Sequence, residues 1–354
     1  MTGDGSKGQI GVIGAGSWGT TLAHRIALKG FAVKLWCRRA EIANEIERER
    51  KNSPYTEEFI LAQNIAPTTD LQQTVEGSDV IIVAVATKAF RKICRQIGEF
   101  LQPDQIILTA SKGIEQDSLK RMSEIIREET SALKIGAISG PNLALEVLAE
   151  HPTATVIASK FDEVVAAGTR ILNYKTFRTY ASHDIVGVEL AGALKNVLAI
   201  ASGIISGLGY GANTRGFLIS RGVAEIIRLG SHYKIDPLTI SGLAGVGDIT
   251  VTCSSEKSRN FTFGYNLGKG KKPEEILNSM HQVVEGIRTS KSAHQLAQKF
   301  GEEIPIFETV YRILYENISI KEAESYLLGR PIHFEHQIER QIPDTSEQTI
   351  FAKE

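Results

Sequence analysis

The sequence predicts a doubly wound α/β domain followed by an all-helical domain, and three observations lead there. Gly14-Ala15-Gly16-Ser17-Trp18-Gly19 is a G-x-G-x-x-G set between an apolar run, Ile10 to Ile13, and a helix-like run, Thr20 to Leu28. Strand-like and helix-like patterns then alternate as far as Tyr180, as a parallel sheet with crossover helices requires. Beyond Asp184 the strand-like alternation stops and only helical patterns follow.

The glycine set says what the first domain binds. Gly14 lets the chain turn sharply off a strand. Gly16 has no Cβ, so a pyrophosphate can approach the backbone, and Gly19 lets the new helix pack closely on its strand. The free N–H groups at the helix start then face the phosphates. In this strand-to-helix context the set predicts dinucleotide binding by a Rossmann-type domain.

Phe31 to Trp36 is the second strand, and Cys37-Arg38-Arg39 follows its tip. An acid at this place would bind the ribose hydroxyls of NAD. Two arginines stand there instead, and a guanidinium can pair with a 2′-phosphate and stack on adenine, which favours NADPH. A solvated charge pair opening the helix Ala40 to Arg50 is the alternative. Asn52-Ser53-Pro54 ends that helix. Ile65-Ala66-Pro67 reads as an edge piece, and Asp70 as the cap of a helix from Leu71 to Glu76.

Asp79 to Ala86 is a near-continuous aliphatic run, as a strand buried on both faces requires. Thr87-Lys88-Ala89-Phe90 opens a helix to about Phe100. Gln105 to Thr109 is another buried strand, opening into Ser111-Lys112-Gly113. Lys112 lies just past a strand end, where ligands of such sheets sit. A helix over Ser118 to Thr130 and a strand over Lys134 to Ile138 follow. Ser139-Gly140-Pro141-Asn142 turns, with Asn142 as a cap, into a helix containing Ala144. Thr153 to Ala158, a helix from Asp162 to Leu172, and Phe177 to Tyr180 complete the parallel sheet.

The second half reads as helices over Ile185–Ser206, Thr214–Tyr233, Pro237–Ala244, Phe261–Leu267, Pro273–Ser279, Gly286–Phe300, Pro305–Tyr315 and Ile320–Leu328. The expected division is a nucleotide domain over 1–184, a helical domain over 185–334 and a polar tail over 335–354. Glu189, Lys195 and Asn196 sit among apolar residues in the first of these helices. Lysine is rarely buried without a partner, and burial near other cations lowers its pKa, which suits a proton donor at neutral pH. Snorkelling from the helix edge is the alternative. Asp248, in Gly245-Val246-Gly247-Asp248-Ile249, is another acid in an apolar context, readable also as a helix cap. Ser258-Arg259-Asn260 precedes an aromatic helix, and a serine, an arginine and an amide at a helix start can hold a phosphate.

The whole chain sets bounds on these readings. Its 354 residues exceed one compact core, and 42% apolar with 23% charged residues suits a globular enzyme. A net charge of −1 gives no field to draw it to nucleic acid or an anionic membrane. Cys37, Cys94 and Cys253 lie far apart and suggest neither a disulfide framework nor a zinc site. No metal is expected, because the histidines are scattered. Leu190 to Leu208 is apolar but interrupted by Lys195, Asn196 and glycines, so it reads as a buried helix rather than a membrane span. The start, Met1 to Gly8, is polar with no apolar signal core, and a reducing, cytoplasmic setting is expected.

Taken in order, the motifs resemble the NAD(P)-dependent glycerol-3-phosphate dehydrogenases, particularly the bacterial type. The matching pieces are the glycine set, Ser111-Lys112-Gly113, Ser139-Gly140-Pro141, Leu194-Lys195-Asn196, Gly247-Asp248 with Thr250 and Thr252, Ser258-Arg259-Asn260, and Val283-Val284-Glu285-Gly286. Together they span about residues 8 to 330. Val85-Ala86-Thr87 stands where the family often has Val-Pro-Ser.

The resemblance implies reversible reduction of dihydroxyacetone phosphate to sn-glycerol 3-phosphate with NADP or NAD, feeding phospholipid synthesis, in a homodimer. It implies that Gly14, Gly16, Ser17, Trp18, Gly19, Arg38, Lys112, Ala144, Arg259, Val283 and Glu285 meet the cofactor. Lys112, Gly140, Asn142, Lys195, Asp248, Ser258, Arg259 and Asn260 would meet the substrate, with Lys195 as proton donor or acceptor. The rivals are another two-domain dehydrogenase of a hydroxy or sugar acid, and a nucleotide sensor without turnover. A hydroxyacyl type would need a His–Glu pair, for which only His151, before Pro152, offers itself between residues 139 and 160.

Overall fold

In chain order the first half runs β1 (Gln9–Ile13), α1 (Ser17–Leu28), β2 (Ala32–Trp36), α2 (Ala40–Glu49), α3 (Ser53–Thr56), β3 (Ile65–Thr68), α4 (Leu71–Val75) and β4 (Val80–Val83). It continues with α5 (Thr87–Gly98), β5 (Ile106–Thr109), α6 (Met122–Glu129), β6 (Ile135–Ser139), α7 (Ala144–Leu148), β7 (Thr153–Ala158), α8 (Asp162–Leu172) and β8 (Phe177–Ser182). The computed structural model describes residues 8–280 and 283–331; Met1–Lys7 and the expected tail, Glu335–Glu354, lie outside the described residues.

The strands form one eight-stranded sheet in the order β3-β2-β1-β4-β5-β6-β7-β8. The aliphatic run Val80-Ile81-Ile82-Val83 is buried on both faces, because β4 sits between β1 and β5 with helices on either side. Direction reverses once. β6 and β7 pair antiparallel, whereas every other neighbouring pair is parallel, so the expected all-parallel sheet is corrected to a mostly parallel one. The chain order reverses between β1 and β4, which opens the crevice where a dinucleotide binds in such folds.

Other departures have local causes. The helix expected from Ser118 begins at Met122, because Asp117 and Leu119 take left-handed conformations and Ile114 bridges to Arg121. The expected strand Asp79–Ala86 shortens to Val80–Val83 as the chain leaves the sheet beside the Gly14 turn, where a Cβ on Gly14 would lie 2.4 Å from the Ala84 carbonyl oxygen. Asn142 is not the cap of α7; Leu143 holds that position, and the Asn142 Nδ2 donates to the Ala154 carbonyl at 2.8 Å.

The second half continues with α9 (Ile185–Gly207), α10 (Ala212–Ser231), α11 (Pro237–Ser241), α12 (Asp248–Ser254), α13 (Arg259–Gly268), α14 (Pro273–Ser279), α15 (Glu285–Phe300), α16 (Pro305–Tyr315) and α17 (Ile320–Leu328). The helix expected over Pro237–Ala244 stops at Ser241. A π-turn over Leu243–Gly247 follows, and α12, absent from the sequence reading, begins at Asp248. The glycine spacing Gly242, Gly245, Gly247 hides this helix from a propensity argument.

Helix α9 is the axle of the domain. It is long and apolar enough to cross a membrane, but 94% of its apolar window is buried inside the protein, so it is a core helix. Its closest neighbour is α13, and the contact is backbone on backbone. Gly203 and Gly207 on α9 face Gly264 and Gly268 on α13; a Cβ on Gly264 would lie 2.0 Å from the Ile200 carbonyl oxygen, and one on Gly203 would lie 2.1 Å from that of Phe261. A single methyl there cannot be absorbed by a rotamer change. Gly264→Ala should therefore cost about 3 kcal/mol, the upper part of the usual overpacking range, read as a lowered denaturant midpoint with an unchanged slope.

Candidate active site

Five parallel strands end on the same edge of the sheet, and each delivers a segment singled out in the sequence. β1 runs into the glycine set, β2 into Arg38, β4 into Thr87, β5 into Lys112 and β6 into Gly140. At the start of α1, Gly16 is the N-cap, no side chain caps the helix, and its first turn holds no acid. A Cβ built on Gly16 meets nothing within 4 Å, whereas one on Gly19 would lie 1.8 Å from the Gly14 carbonyl oxygen. The helix is thus pressed onto the strand end, with open space in front of its free N–H groups. These features fit a dinucleotide pyrophosphate. Asn52, read from sequence only as part of a helix stop, steadies this turn: its Nδ2 donates to the Ala15 carbonyl at 3.0 Å and to Thr20 Oγ1 at 2.8 Å.

Around the glycine set, Trp18 leans toward Phe177 with ring centroids 6.4 Å apart, and its Nε1 is buried with no hydrogen-bond partner among the described residues. Arg38 is exposed at the tip of β2; Arg39 beside it lies over the Tyr55 ring, its carbon 5.7 Å from the centroid. Ala144 begins α7, which packs against α1.

The chemical centre is a shared carboxylate. Asp248, at the start of α12, is 1% exposed. Its Oδ1 bonds Lys195 Nζ from α9, and its Oδ2 accepts from Lys112 Nζ at 2.7 Å. Lys195 also donates to Thr252 Oγ1 at 2.8 Å, and Lys112 to the Gly140 carbonyl at 3.2 Å. Lys195 does not snorkel: it is 7% exposed. Burial lowers its pKa to about 8, with Lys112 pushing the same way and Asp248 pushing back. Burial pushes the Asp248 carboxyl up, but Lys112 and Lys195 together outweigh it and hold it below its ordinary value. One carboxylate against two lysines leaves a positive excess, in a setting where desolvation strengthens every charge.

Gly192, one turn before Lys195, makes this approach possible. A Cβ there would lie 2.8 Å from Ser139 Oγ and 3.6 Å from Lys112 Cγ. Gly140 is equally constrained, since a Cβ would lie 3.0 Å from both the Ala154 carbonyl oxygen and Thr155 Cα.

The Ser258-Arg259-Asn260 segment divides its work. Ser258 caps α13, its Oγ accepting from Phe261 N at 3.3 Å. Arg259 is exposed, with Nη1 donating to the Val283 carbonyl at 3.0 Å; Val283 itself is 49% exposed. Asn260 turns inward. Its Nδ2 donates to Asn196 Oδ1 and its Oδ1 accepts from Gly286 N, both at 2.9 Å, so this side chain knits α9, α13 and α15 together. Glu285 accepts from the Thr87 amide at 3.1 Å and its hydroxyl at 2.5 Å.

Sequence reasoning gave Thr252 a place in a motif but no role. Its link to Lys195 depends on α12, which sets Asp248 and Thr252 one turn apart, and that helix was not foreseen. Glu189 is out of place in an apolar helix, and the structure explains it. The carboxylate accepts from Ser123 N at 2.7 Å, from Ser123 Oγ at 2.6 Å and from Arg121 Nη1 at 2.5 Å, so α9 caps α6 of the other domain. Nothing in the sequence pairs Glu189 with residues so distant.

Known proteins resemble the chain along nearly its whole length. A family model described as NAD-dependent glycerol-3-phosphate dehydrogenase N-terminus matches residues 9–165, and the corresponding C-terminus model matches 184–325. A relative from Syntrophotalea carbinolica, named glycerol-3-phosphate dehydrogenase (NAD(P)+), is 43% identical over 92% of this chain and 99% of its own length. One of the same name from Geobacillus thermodenitrificans is 44% identical over 91% of this chain and 94% of its own. A crystal structure of glycerol-3-phosphate dehydrogenase from Coxiella burnetii superimposes with a TM-score of 0.88 at 36% identity, covering 92% of this chain and 99% of that one.

The lowered pKa of Lys195 has a thermodynamic consequence. Between about 8 and an unfolded lysine's value near 10.4, the unfolded chain binds more protons at this position than the folded one, so stability rises with pH. Compared with Lys195→Met, the wild type should gain stability across this window by up to about 1.4 kcal/mol per pH unit. Parallel urea titrations from pH 8 to 10 measure it; identical slopes for the two proteins would contradict a depressed Lys195.

Proposed function

Since the chain belongs to the NAD-dependent glycerol-3-phosphate dehydrogenase family, we propose that it catalyses the reversible reduction of dihydroxyacetone phosphate to sn-glycerol 3-phosphate, with NADPH preferred over NADH. The observation that carries this reading is the Lys112–Asp248–Lys195 trio at the strand ends that also hold the nucleotide fingerprint. A nucleotide sensor needs no buried lysine of lowered pKa.

When bound, the nicotinamide supplies a hydride to the carbonyl carbon, and negative charge develops on the oxygen. In this reading Lys195 and Lys112 stabilise that charge, as preorganised cations do with large effect. Lys195 then gives its Nζ proton to the oxygen, and in oxidation the neutral amine takes it back. With a pKa of about 8 the amine supports both directions near neutral pH. Asp248 and Thr252 hold Nζ in place and leave its third proton for the substrate. Gly140, Asn142, Ser258, Arg259 and Asn260 surround the phosphate-bearing substrate, with Arg259 as its charged contact and Asn260 acting mainly by fixing the helices. Gly14, Gly16, Ser17, Trp18, Gly19, Arg38, Lys112, Ala144, Arg259, Val283 and Glu285 hold the nucleotide. Residues 1–184 and 185–334 act as nucleotide and substrate domains. The enzyme works in the cytoplasm as a homodimer and supplies phospholipid synthesis.

The direct test follows NADPH absorbance after addition of dihydroxyacetone phosphate, with unphosphorylated dihydroxyacetone as the control. No phosphate-dependent consumption would sink the reading. Lys195→Ala should bind NADPH nearly normally yet lose roughly 10²–10⁴ in single-turnover rate, the usual worth of a general acid. Lys195→Arg should not restore the rate, because a guanidinium keeps its proton.

Cofactor preference is tested at Arg38, the exposed guanidinium at the tip of β2. Losing a charge-assisted contact costs about 1.5–3 kcal/mol, so Arg38→Ala should weaken NADPH binding roughly tenfold or more while leaving NADH nearly unchanged. Equal losses for the two nucleotides would show that Arg38 does not read the 2′-phosphate.

A further inference from the structure

Two carboxylates from the helical domain cap helices of the nucleotide domain, and they differ in kind. Glu189 is buried and matched by Arg121 as well as by both donors of Ser123. Glu285 is only half-buried, takes both its bonds from Thr87, and forms no ion pair among the described residues. The first contact is buried and ion-paired; the second is half-buried and rests on hydrogen bonds from one residue.

Thr87 is held for this contact. It is 8% exposed at the start of α5. A Cβ on Gly113 would lie 2.2 Å from Thr87 Cγ2, so the threonine methyl rests against the glycine of Ser111-Lys112-Gly113. The serine of that motif pins the preceding strand end: Ser111 Oγ donates to the Val85 carbonyl at 2.6 Å and accepts from Val85 N at 3.0 Å. On the other side, the residue after Glu285 continues the connection. Gly286 N donates to Asn260, and Asn260 donates to Asn196, the neighbour of Lys195. A Cβ on Gly286 would lie 2.6 Å from the Asn196 carbonyl oxygen, so α15 begins directly on the catalytic helix. Glu285 also carries two helix starts, its own and that of α5, whose positive ends favour a carboxylate.

We propose that Thr87 is a positioning residue: through Glu285 it latches the helical domain onto the nucleotide domain, and the closed latch retains bound nucleotide and seats α15 against the helix bearing Lys195. The inference rests on the dehydrogenase reading above and adds Thr87 to it. The latch acts on release, because the domains must part at this contact before a nucleotide held between them can leave.

Thr87→Val keeps the methyl against Gly113 and removes only the hydroxyl; Thr87→Ser keeps the hydroxyl. NADPH release, followed by stopped-flow fluorescence, should be roughly tenfold faster in the valine variant, the usual weight of a hydrogen bond to a charged group. The serine variant should stay near the wild-type rate. The double variant Thr87→Val with Glu285→Ala should release no faster than Glu285→Ala alone, because the Thr87 hydroxyl acts only through the Glu285 side chain. Additive effects would mean that Thr87 touches the nucleotide itself, and unchanged release in Thr87→Val would mean that the contact restrains nothing; either result overturns the latch. Turnover of dihydroxyacetone phosphate by the wild type, measured alongside, judges the dehydrogenase reading separately. Faster release in the valine variant without wild-type turnover would uphold the latch and remove that reading.

Discussion

The structure depends on one buried carboxylate shared between lysines of two domains. Asp248 alone in that position would be expensive to ionise; with Lys112 and Lys195 on its two oxygens it stays charged well inside the protein. The sharing is what needs the rest of the fold. Lys112 comes from the end of β5, Lys195 from the middle of α9, and Asp248 from a helix start that follows a π-turn. Without Asp248 the two lysines would face each other unmatched in an apolar setting, whereas loss of either lysine leaves one matched pair.

The glycines follow from the same requirement. Gly192 lets the Lys112 stem lie against α9, and Gly286 lets α15 begin on it. Gly203, Gly207, Gly264 and Gly268 bring α9 and α13 into backbone contact, which places Asn260 within reach of Asn196. These residues are spent on proximity rather than on flexibility. Each marks a place where a side chain would hold two packed elements apart.

Much of this was legible in the sequence, for physical reasons. The nucleotide domain was readable because buried parallel strands are continuous aliphatic runs and because the fingerprint needs glycines at fixed offsets. Lys195 stood out as a cation in an apolar helix, and Asp248 as an acid in an apolar loop. The sequence does not show that they pair, since residues 195 and 248 meet through tertiary packing. The helix that carries Asp248 was invisible because three glycines and two threonines argue against one. Asn142 reads as a cap and is instead bonded to the neighbouring strand, and Asn260, read as a ligand for phosphate, also ties helices together. Side-chain amides serve both ends equally well in a linear reading; only the direction in which they point separates them. The reversal at β6–β7, after which β7 and β8 run together against the rest, leaves no trace in the sequence, because a buried strand has the same composition in either direction.

The division of the trio between domains has a consequence for the charge it carries. Lys112 belongs to the nucleotide domain, while Lys195 and Asp248 both belong to the helical one. If the domains separate, Lys195 and Asp248 remain a neutral pair, now open to water. The two influences that lower the lysine, burial and Lys112, are then withdrawn together, while the one that raises it stays. Nothing then holds the Lys195 pKa down, and the positive excess beside Asp248 is gone. The lowered pKa of Lys195 and the positive excess around Asp248 are therefore properties of the two domains packed together, and neither domain carries them by itself.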